Sequence, residues 1–284
     1  MRRYQPWNCL KIALLCGLSV TSHADINLTF GLYAADKPTQ VVAQFRPVLT
    51  QLEQDLTATL GEPVIIHTRI SPTYDLAISR LAKGEVDFAR FGPASYVLSK
   101  QKNPQIRLLA MENKSGKNTR SGYIIAHADS SYTQLSQLVG QSFAFGSAES
   151  TIGRYFAQLL LSEAGVNAND LTHHQYLGRH DKVGAAVAAG TFTAGALKSS
   201  TYKKLIAADQ PVRILKKFSL ATKAWAAREQ LPAPISEALI GVLMQFDDAQ
   251  ALKILGKDGF FPADDSAYNR VRDAIKSSEA FFAE

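Results

Sequence analysis

The sequence predicts an α/β fold built as two lobes. Strand-like and helix-like segments alternate along the chain, and one polar stretch without apolar periodicity, residues 112–121, divides the alternation into two runs. In the first run, Ile26 to Phe30 alternates apolar and polar and stops at Gly31. Val41, Val42, Phe45, Val48, Leu49, Leu52, Leu56 and Leu60 then recur at helical spacing and Gly61 closes the helix. A β-branched run from Pro63 to Ile70 predicts a strand, Tyr74 to Lys83 an amphipathic helix, Val86 to Phe91 a strand, and Ile106 to Met111 another. Pro93 suits the first turn of the helix that follows Gly92.

The second run repeats this logic. Strands are predicted at Tyr123–Ala126, Phe143–Phe145, His174–Leu177, Phe192–Leu197 and Val212–Leu215. Helices are predicted at Tyr132–Leu138, Tyr155–Ala164, Val183–Ala189 and Tyr202–Ala208, and the tail from Pro234 is mostly helical. Such alternation implies mainly parallel sheets with helices on both faces, and ligands of open α/β sheets bind at the carboxyl ends of strands. Two lobes bring two such edges to face one cleft.

The N-terminus sets the expected compartment. Arg2, Arg3 and Lys11 precede a short apolar run, Ile12 to Val20, and Ser22-His23-Ala24 supplies small residues where cleavage is expected. The pattern predicts a signal peptide, residues 1–24, cut after Ala24, and hence an exported protein. A membrane anchor needs about 20 apolar residues, twice this run. Lipid attachment at Cys16 is disfavoured because Leu15 stands where a small residue is normal. The leader carries three of the 31 basic residues and no acid, so the net charge of +6 falls to +3 after cleavage. Basicity is then no argument for nucleic acid, and none is expected as a partner. Both cysteines, Cys9 and Cys16, lie in the leader, which leaves no disulfide and no thiolate metal site.

Three strand exits carry candidate chemistry. Phe145 to Gly153 runs from a strand through small residues into a helix that Ser150 or Thr151 can cap, and a helix start flanked by hydroxyls suits an oxyanion. Any helix start has this form, so the motif alone is weak. Leu177 to Lys182 places His180 at another strand exit, where it can donate to an anion or simply be solvated. Arg90 to Tyr96 turns at Gly92-Pro93 between Phe91 and Tyr96, which wall a pocket or belong to the core. Tyr33, Tyr74 and Tyr123 also fall near element ends, where a phenol can reach a ligand. There is no G-x-S-x-G elbow, H-E-x-x-H or P-loop, and His173-His174 would point to opposite faces of a strand. No enzyme, cofactor or metal is expected.

From about Ile26 to Ile275 the sequence resembles the phosphonate/phosphite/phosphate substrate-binding proteins of ABC transporters. The resemblance rests on Phe30-Gly31, on Leu81 to Ala89 leading into Phe91-Gly92-Pro93, on Phe143-Ala144-Phe145-Gly146 with Ser150-Thr151-Ile152-Gly153, and on Gly178-Arg179-His180 followed by Ala185 to Gly190. Each piece is short; their order and spacing make the likeness specific. It implies a type II periplasmic-binding-protein-like fold, two α/β lobes joined by two hinge crossovers with the ligand cleft between them. The lobes would be residues 25–120 with 220–284, and residues 121–219. It implies that Ser150, Thr151 and the backbone at Gly153 hold an oxyanion, that His180 adds a hydrogen bond, and that Tyr74 and Phe91 come from the opposite lobe, with Gly92, Tyr33 and Tyr123 nearby.

Departures from the family pattern bear on the ligand. Members that take aminoalkyl phosphonates carry acids for the ammonium group, whereas here the second-lobe strand exit reads Ala196-Leu197-Lys198 and the return segment Phe218 to Trp225 holds no acid. Thr193 stands where the family commonly has Asp. The expectation is therefore a periplasmic receptor for phosphate, phosphite or a simple phosphonate, a monomer serving an inner-membrane ABC permease, with Lys198 or Lys223 adding positive charge. A sensory receptor signalling to a membrane kinase is the alternative reading. An exported hydrolase using Ser150 and His180 ranks below both.

Overall fold

A computed structural model describes Met1, residues 25–33 and residues 38–283. The leader features expected within residues 2–24, the apolar run, Cys16 and the cleavage after Ala24, lie outside the described residues. The first half runs β1 (Ile26–Tyr33), α1 (Pro38–Leu60), β2 (Val64–Ser71), α2 (Tyr74–Ala82), β3 (Phe88–Phe91), α3 (Pro93–Lys102) and β4 (Arg107–Asn113). The second runs β5 (Thr119–His127), β6 (Ser142–Phe145), α4 (Phe156–Glu163) with a π turn before it at Thr151–Tyr155, β7 (His173–Tyr176), α5 (His180–Ala188), β8 (Ala194–Lys198), α6 (Ser199–Ala207) and β9 (Val212–Ala221). The chain then returns as β10 (Ala224–Ala227), α7 (Ala233–Gln245), α8 (Ala249–Leu255), β11 (Gly259–Pro262) and α9 (Asn269–Ser277).

These elements make two sheets, β11-β4-β10-β3-β1-β2 and β7-β6-β8-β5-β9, in two α/β lobes. The sheets are mixed rather than mainly parallel. β1 pairs in parallel with β2 and β3, and β6 with β7 and β8, but β10 and β5 run against their neighbours. The edge strand β11 also runs against β4; for β10 and β5 the reason lies in the crossovers. β4 and β9 end at the cleft, so the strand that enters the other sheet from there must run away from the cleft, opposite to the parallel set. The two crossings lie side by side: Thr222 N donates to Asn118 O at 2.8 Å and Glu112 N to Lys223 O at 3.1 Å.

The polar stretch 112–121 is half strand: only 114–118 form the connecting turn expected across the whole stretch. β4 continues through Asn113 and β5 begins at Thr119, pairing with β9 from Thr119↔Ala221 onward. Strands at 224–227 and 259–262 were not expected, and the helix expected over Tyr132–Leu138 is a single 3-10 turn at Leu135–Leu138. Each lobe has its own apolar core. In the first, Phe30 stacks on Trp225 at 5.1 Å with Phe45 and Phe88 beside it. In the second, Ile125, Val183, Val187 and Leu197 pack between β5, β8 and α5. A further buried cluster crosses from Tyr74 and Phe91 to Ile152 and Phe156 and joins the lobes at the cleft floor. His173 and His174 do separate: one stacks on Phe192 and the other lies against Phe145 and Phe282.

Candidate functional site

Five helices begin at the carboxyl ends of parallel strands: α2 after β2, α3 after β3, the π turn and α4 after β6, α5 after β7 and α6 after β8. Their first residues meet around one small cavity of about 30 Å³, lined by Tyr74, Gly92, Pro93, Ser150, Thr151, Ile152, His180 and Lys198, with Arg120, Leu220 and Lys223 from the crossover strands. A helix start exposes backbone N–H groups and the positive end of its dipole, so five of them focus positive potential on this point.

Local chemistry explains how three of these starts are held. Thr73 accepts from Leu76 N at 3.2 Å and caps α2, which orients Tyr74. Ser150 Oγ accepts from Gly153 N at 3.0 Å and caps the π turn, leaving the N–H groups of Thr151 and Ile152 without an intrahelical carbonyl. The turn is clamped to its strand where Gly146 N donates to Gly153 O at 2.8 Å. A Cβ on Gly153 would lie 2.8 Å from Gly146 Cα, backbone that cannot give, so glycine is required there. Across the cleft, Ala94 N donates to Thr151 Oγ1 at 2.8 Å, a direct bond from α3 to the second lobe. Gly92 instead makes room for Tyr33, since a Cβ there would meet Tyr33 Oη at 2.8 Å.

The expected residues are brought together in part. Ser150, Thr151, His180, Tyr74 and Gly92 line the cavity. Gly153 stands behind it as the clamp. Tyr33 buttresses the wall: its hydroxyl accepts from Gly92 N at 2.7 Å and its ring stacks on Tyr74 at 3.8 Å. Burial raises the Tyr33 phenol above its ordinary pKa, against the hydrogen bonds from Ser95 and Gly92. Phe91 is fully buried and stacks on Tyr33 at 5.7 Å, so it supports the wall without lining it. Tyr96 belongs to the core, with its hydroxyl on Asp265. Tyr123 is not brought to the cavity; it meets Tyr202 edge-on at 5.3 Å on another face of β5. Thr193 bonds Ser142 at the far end of β8, whereas Lys198 and Lys223 do reach the cavity.

Arg120 was missed by sequence reasoning because it fell in the stretch read as loop. The available signal was its register: Arg120, Gly122, Ile124 and Ala126 share one face of β5 at period two. A cluster of charges lies beneath. Glu112, fully buried, takes Arg90 on one oxygen and Lys257 Nζ on the other at 2.7 Å, with Trp225 Nε1 at 3.4 Å. Burial alone would raise the Glu112 carboxyl, but Arg90 and Lys257 outweigh it and hold it well below the usual range. Lys223 lies 5.5 Å over the Tyr33 ring. Burial first, then Arg90 and Arg120, push its ammonium well below the ordinary lysine range. Burial and Arg90 likewise lower Arg120.

A second, wider cavity of about 670 Å³ opens directly outside. It shares Tyr74 and is lined by the residues just before the inner ones, Thr73, Ser147 to Glu149, and Gly178-Arg179, together with Ile70, Pro72, Asp75 and Tyr176. It is the mouth of the same cleft.

Two lobes with a cleft at their strand ends and paired crossovers are the periplasmic-binding-protein fold, and solved structures agree. The methylphosphonate complex of PhnD1 from Prochlorococcus marinus superposes with a TM-score of 0.77 over 89% of this chain and 98% of that one, at 18% identity. XAC2383 from Xanthomonas citri, bound to chloride ion, gives 0.76 over 90% and 98%, at 21% identity. The aliphatic sulphonate binding protein SsuA from Escherichia coli gives 0.59 over 90% and 86%, at 16% identity. In sequence, 137 residues are 27% identical to the probable phosphite binding protein PhnD1 of P. marinus, a match spanning 46% of each chain, so under half of the curated relative's length. The family model for the periplasmic substrate-binding protein of phosphonate ABC transporters matches residues 30–268, and the chain belongs to that family. Its members are substrate-binding transport proteins of the periplasm.

Proposed function

We propose that this chain captures a small tetrahedral oxyanion, phosphate, phosphite or a simple phosphonate, and delivers it as a monomer to an inner-membrane ABC permease. The observation that carries the reading is the convergence of five helix starts with Arg120, Lys198 and Lys223 on a cavity of about 30 Å³ whose described lining holds no carboxylate. The N–H groups of Thr151 and Ile152, the Ser150 hydroxyl and His180 donate to the anion, Tyr74 covers it from the first lobe, and the three cations supply charge. Phe91, Gly92 and Tyr33 shape the wall and Gly153 fixes the donor turn. Capture rather than hydrolysis is favoured because Ser150 Oγ is engaged as a helix cap by Gly153 N. Residues 1–24 direct export and are cleaved after Ala24.

The lobes, taken as residues 25–120 with 220–284 and residues 121–219, close about the crossings at 114–118 and 222–223. Calorimetric titration of dialysed protein with phosphate, phosphite and methylphosphonate tests the reading. Saturable binding of at least one is expected; absence of heat with all three sinks it.

A further inference from the structure

We propose that Arg154 is a positioning residue for the anion site: without lining the inner cavity, it holds the loop before Ser150 and the end of β7 at one fixed spacing, and so sets the affinity of the site. This rests on the oxyanion reading above and deepens it.

Arg154 stands on the π turn, one residue after the Gly153 clamp. Its backbone N–H donates to Ser150 O at 3.0 Å, while its side chain serves other segments. Nη1 donates to Ala148 O at 2.9 Å, so the guanidinium grips the loop backbone two residues before the Ser150 cap. Nε donates to Gln158 Oε1 at 3.3 Å, one turn further on in α4. Gln158 is fully buried, and its amide passes the connection on, with Nε2 donating to Tyr176 Oη at 2.9 Å. The guanidinium also lies over the rings of Tyr155 and Tyr176, at 4.8 and 5.8 Å. Tyr176 in turn stacks at 5.3 Å on Phe145, the last residue of β6.

The pieces joined in this way are those that carry the donors. Ala148 lies in the loop that leads to Ser150, Thr151 and Ile152, and Tyr176 ends β7, from which the chain runs directly to His180. The backbone ties these two segments together only as far as Gly178 N, which donates to Gly146 O at 3.1 Å. Among the described residues, no backbone hydrogen bond links 147–149 to β7 or α5 beyond that point. Arg154 supplies the missing connection. A loop ordered before the ligand arrives need not be ordered by it, and that difference appears as affinity. A planar guanidinium can direct two bonds at once, one to Ala148 and one to Gln158; an ammonium cannot reproduce that fork.

The test is calorimetric titration with whichever of phosphate, phosphite and methylphosphonate the wild-type protein binds most tightly. Arg154→Gln and Arg154→Lys are each checked by their thermal transition. Lysine keeps the charge and loses the fork, so both variants should bind about tenfold more weakly at nearly unchanged Tm. Gln158→Met breaks the same connection at its next link and should cost about fivefold, and adding it to Arg154→Gln should cost nothing more, because members of one network are not additive. Wild-type affinity in Arg154→Lys with a loss in Arg154→Gln would show that the residue acts through charge, and overturns the proposal. Wild-type affinity in both variants, or strictly additive losses in the double variant, overturns it as well. Binding of no anion by the wild type brings down the oxyanion reading itself, a result that no behaviour of the variants can imitate.

Discussion

The inner cavity and the outer cleft share three chain segments and differ in almost every other physical respect. Both draw on residues 73–75, 147–152 and 178–180, and Tyr74 belongs to each. The inner space is about 30 Å³ and carries three cations; the outer is about 670 Å³, and its wall mixes Ile70, Pro72 and Tyr176 with two carboxylates, Asp75 and Glu149. Asp75 already pairs with Lys102 at 3.0 Å and Glu149 accepts from Ser147 Oγ at 2.9 Å. Moving one to three residues back along each segment, away from the helix start, exchanges focused positive potential for an ordinary mixed surface. Volume alone would direct attention to the outer cleft. The convergence of donors directs it to the inner one, because affinity for a small anion comes from desolvated charge and fixed N–H groups rather than from area.

The largest effect that would separate the two regions is expected from Arg120→Gln. It removes a permanent charge from the inner wall and should weaken methylphosphonate binding about 100-fold, measured by calorimetric titration. Retention of wild-type affinity would break the assignment of charge to the inner cavity. A smaller loss, about tenfold, is expected from Gly153→Ala. Its Cβ would press on Gly146 Cα and tilt the turn that carries the Thr151 and Ile152 donors, without touching any charge. Unchanged affinity in that variant would mean the turn does not present the donors.

Most of the frame was legible in the sequence because periodicity reports burial, and the parallel strands and their helices are buried on regular faces. The capped start at Ser150-Thr151 could be read because capping is a local matter of hydroxyl and turn. What could not be read depends on partners distant in the chain. Ala224–Ala227 is too short to announce a strand, and forms one only because β3 and β4 flank it. Arg120 and Glu112 look like loop residues in a polar stretch until β5 finds β9 and β4 finds β10. Tyr33 and Tyr123 both looked like residues at element ends; only the tertiary stacking on Tyr74 or on Tyr202 tells them apart.

Lys223→Met sharpens the contrast on the stability side. Lys223 faces Arg90, Arg120, Lys198, Glu112 and the Tyr33 ring, and cations outnumber the one carboxylate. Its folded pKa is depressed, so the native state holds fewer protons than the unfolded chain between the two pKa values. Stability should therefore rise as pH increases from the folded pKa toward the ordinary lysine value. Replacing the ammonium by an apolar chain should stabilise the ligand-free protein by ~1 kcal/mol, roughly 2–4 °C in Tm, and flatten that alkaline slope. Thermal unfolding across neutral to alkaline pH reads both; a lower Tm would show that Lys223 is compensated.

The smallest effect is expected from Glu149→Gln in the outer cleft. The side chain accepts from Ser147 Oγ, which an amide oxygen can also do, and it lies on the loop only one residue from Ser150. If the whole cleft acted as one electrostatic site, deleting this negative charge would strengthen anion binding severalfold. If the inner cavity is screened from its mouth by Tyr74 and the Ser150 turn, the change should stay within about threefold, and less at higher salt, where charges separated by a Debye length no longer interact. A severalfold gain in affinity would place the governing charge in the outer cleft and reverse the comparison between the two regions.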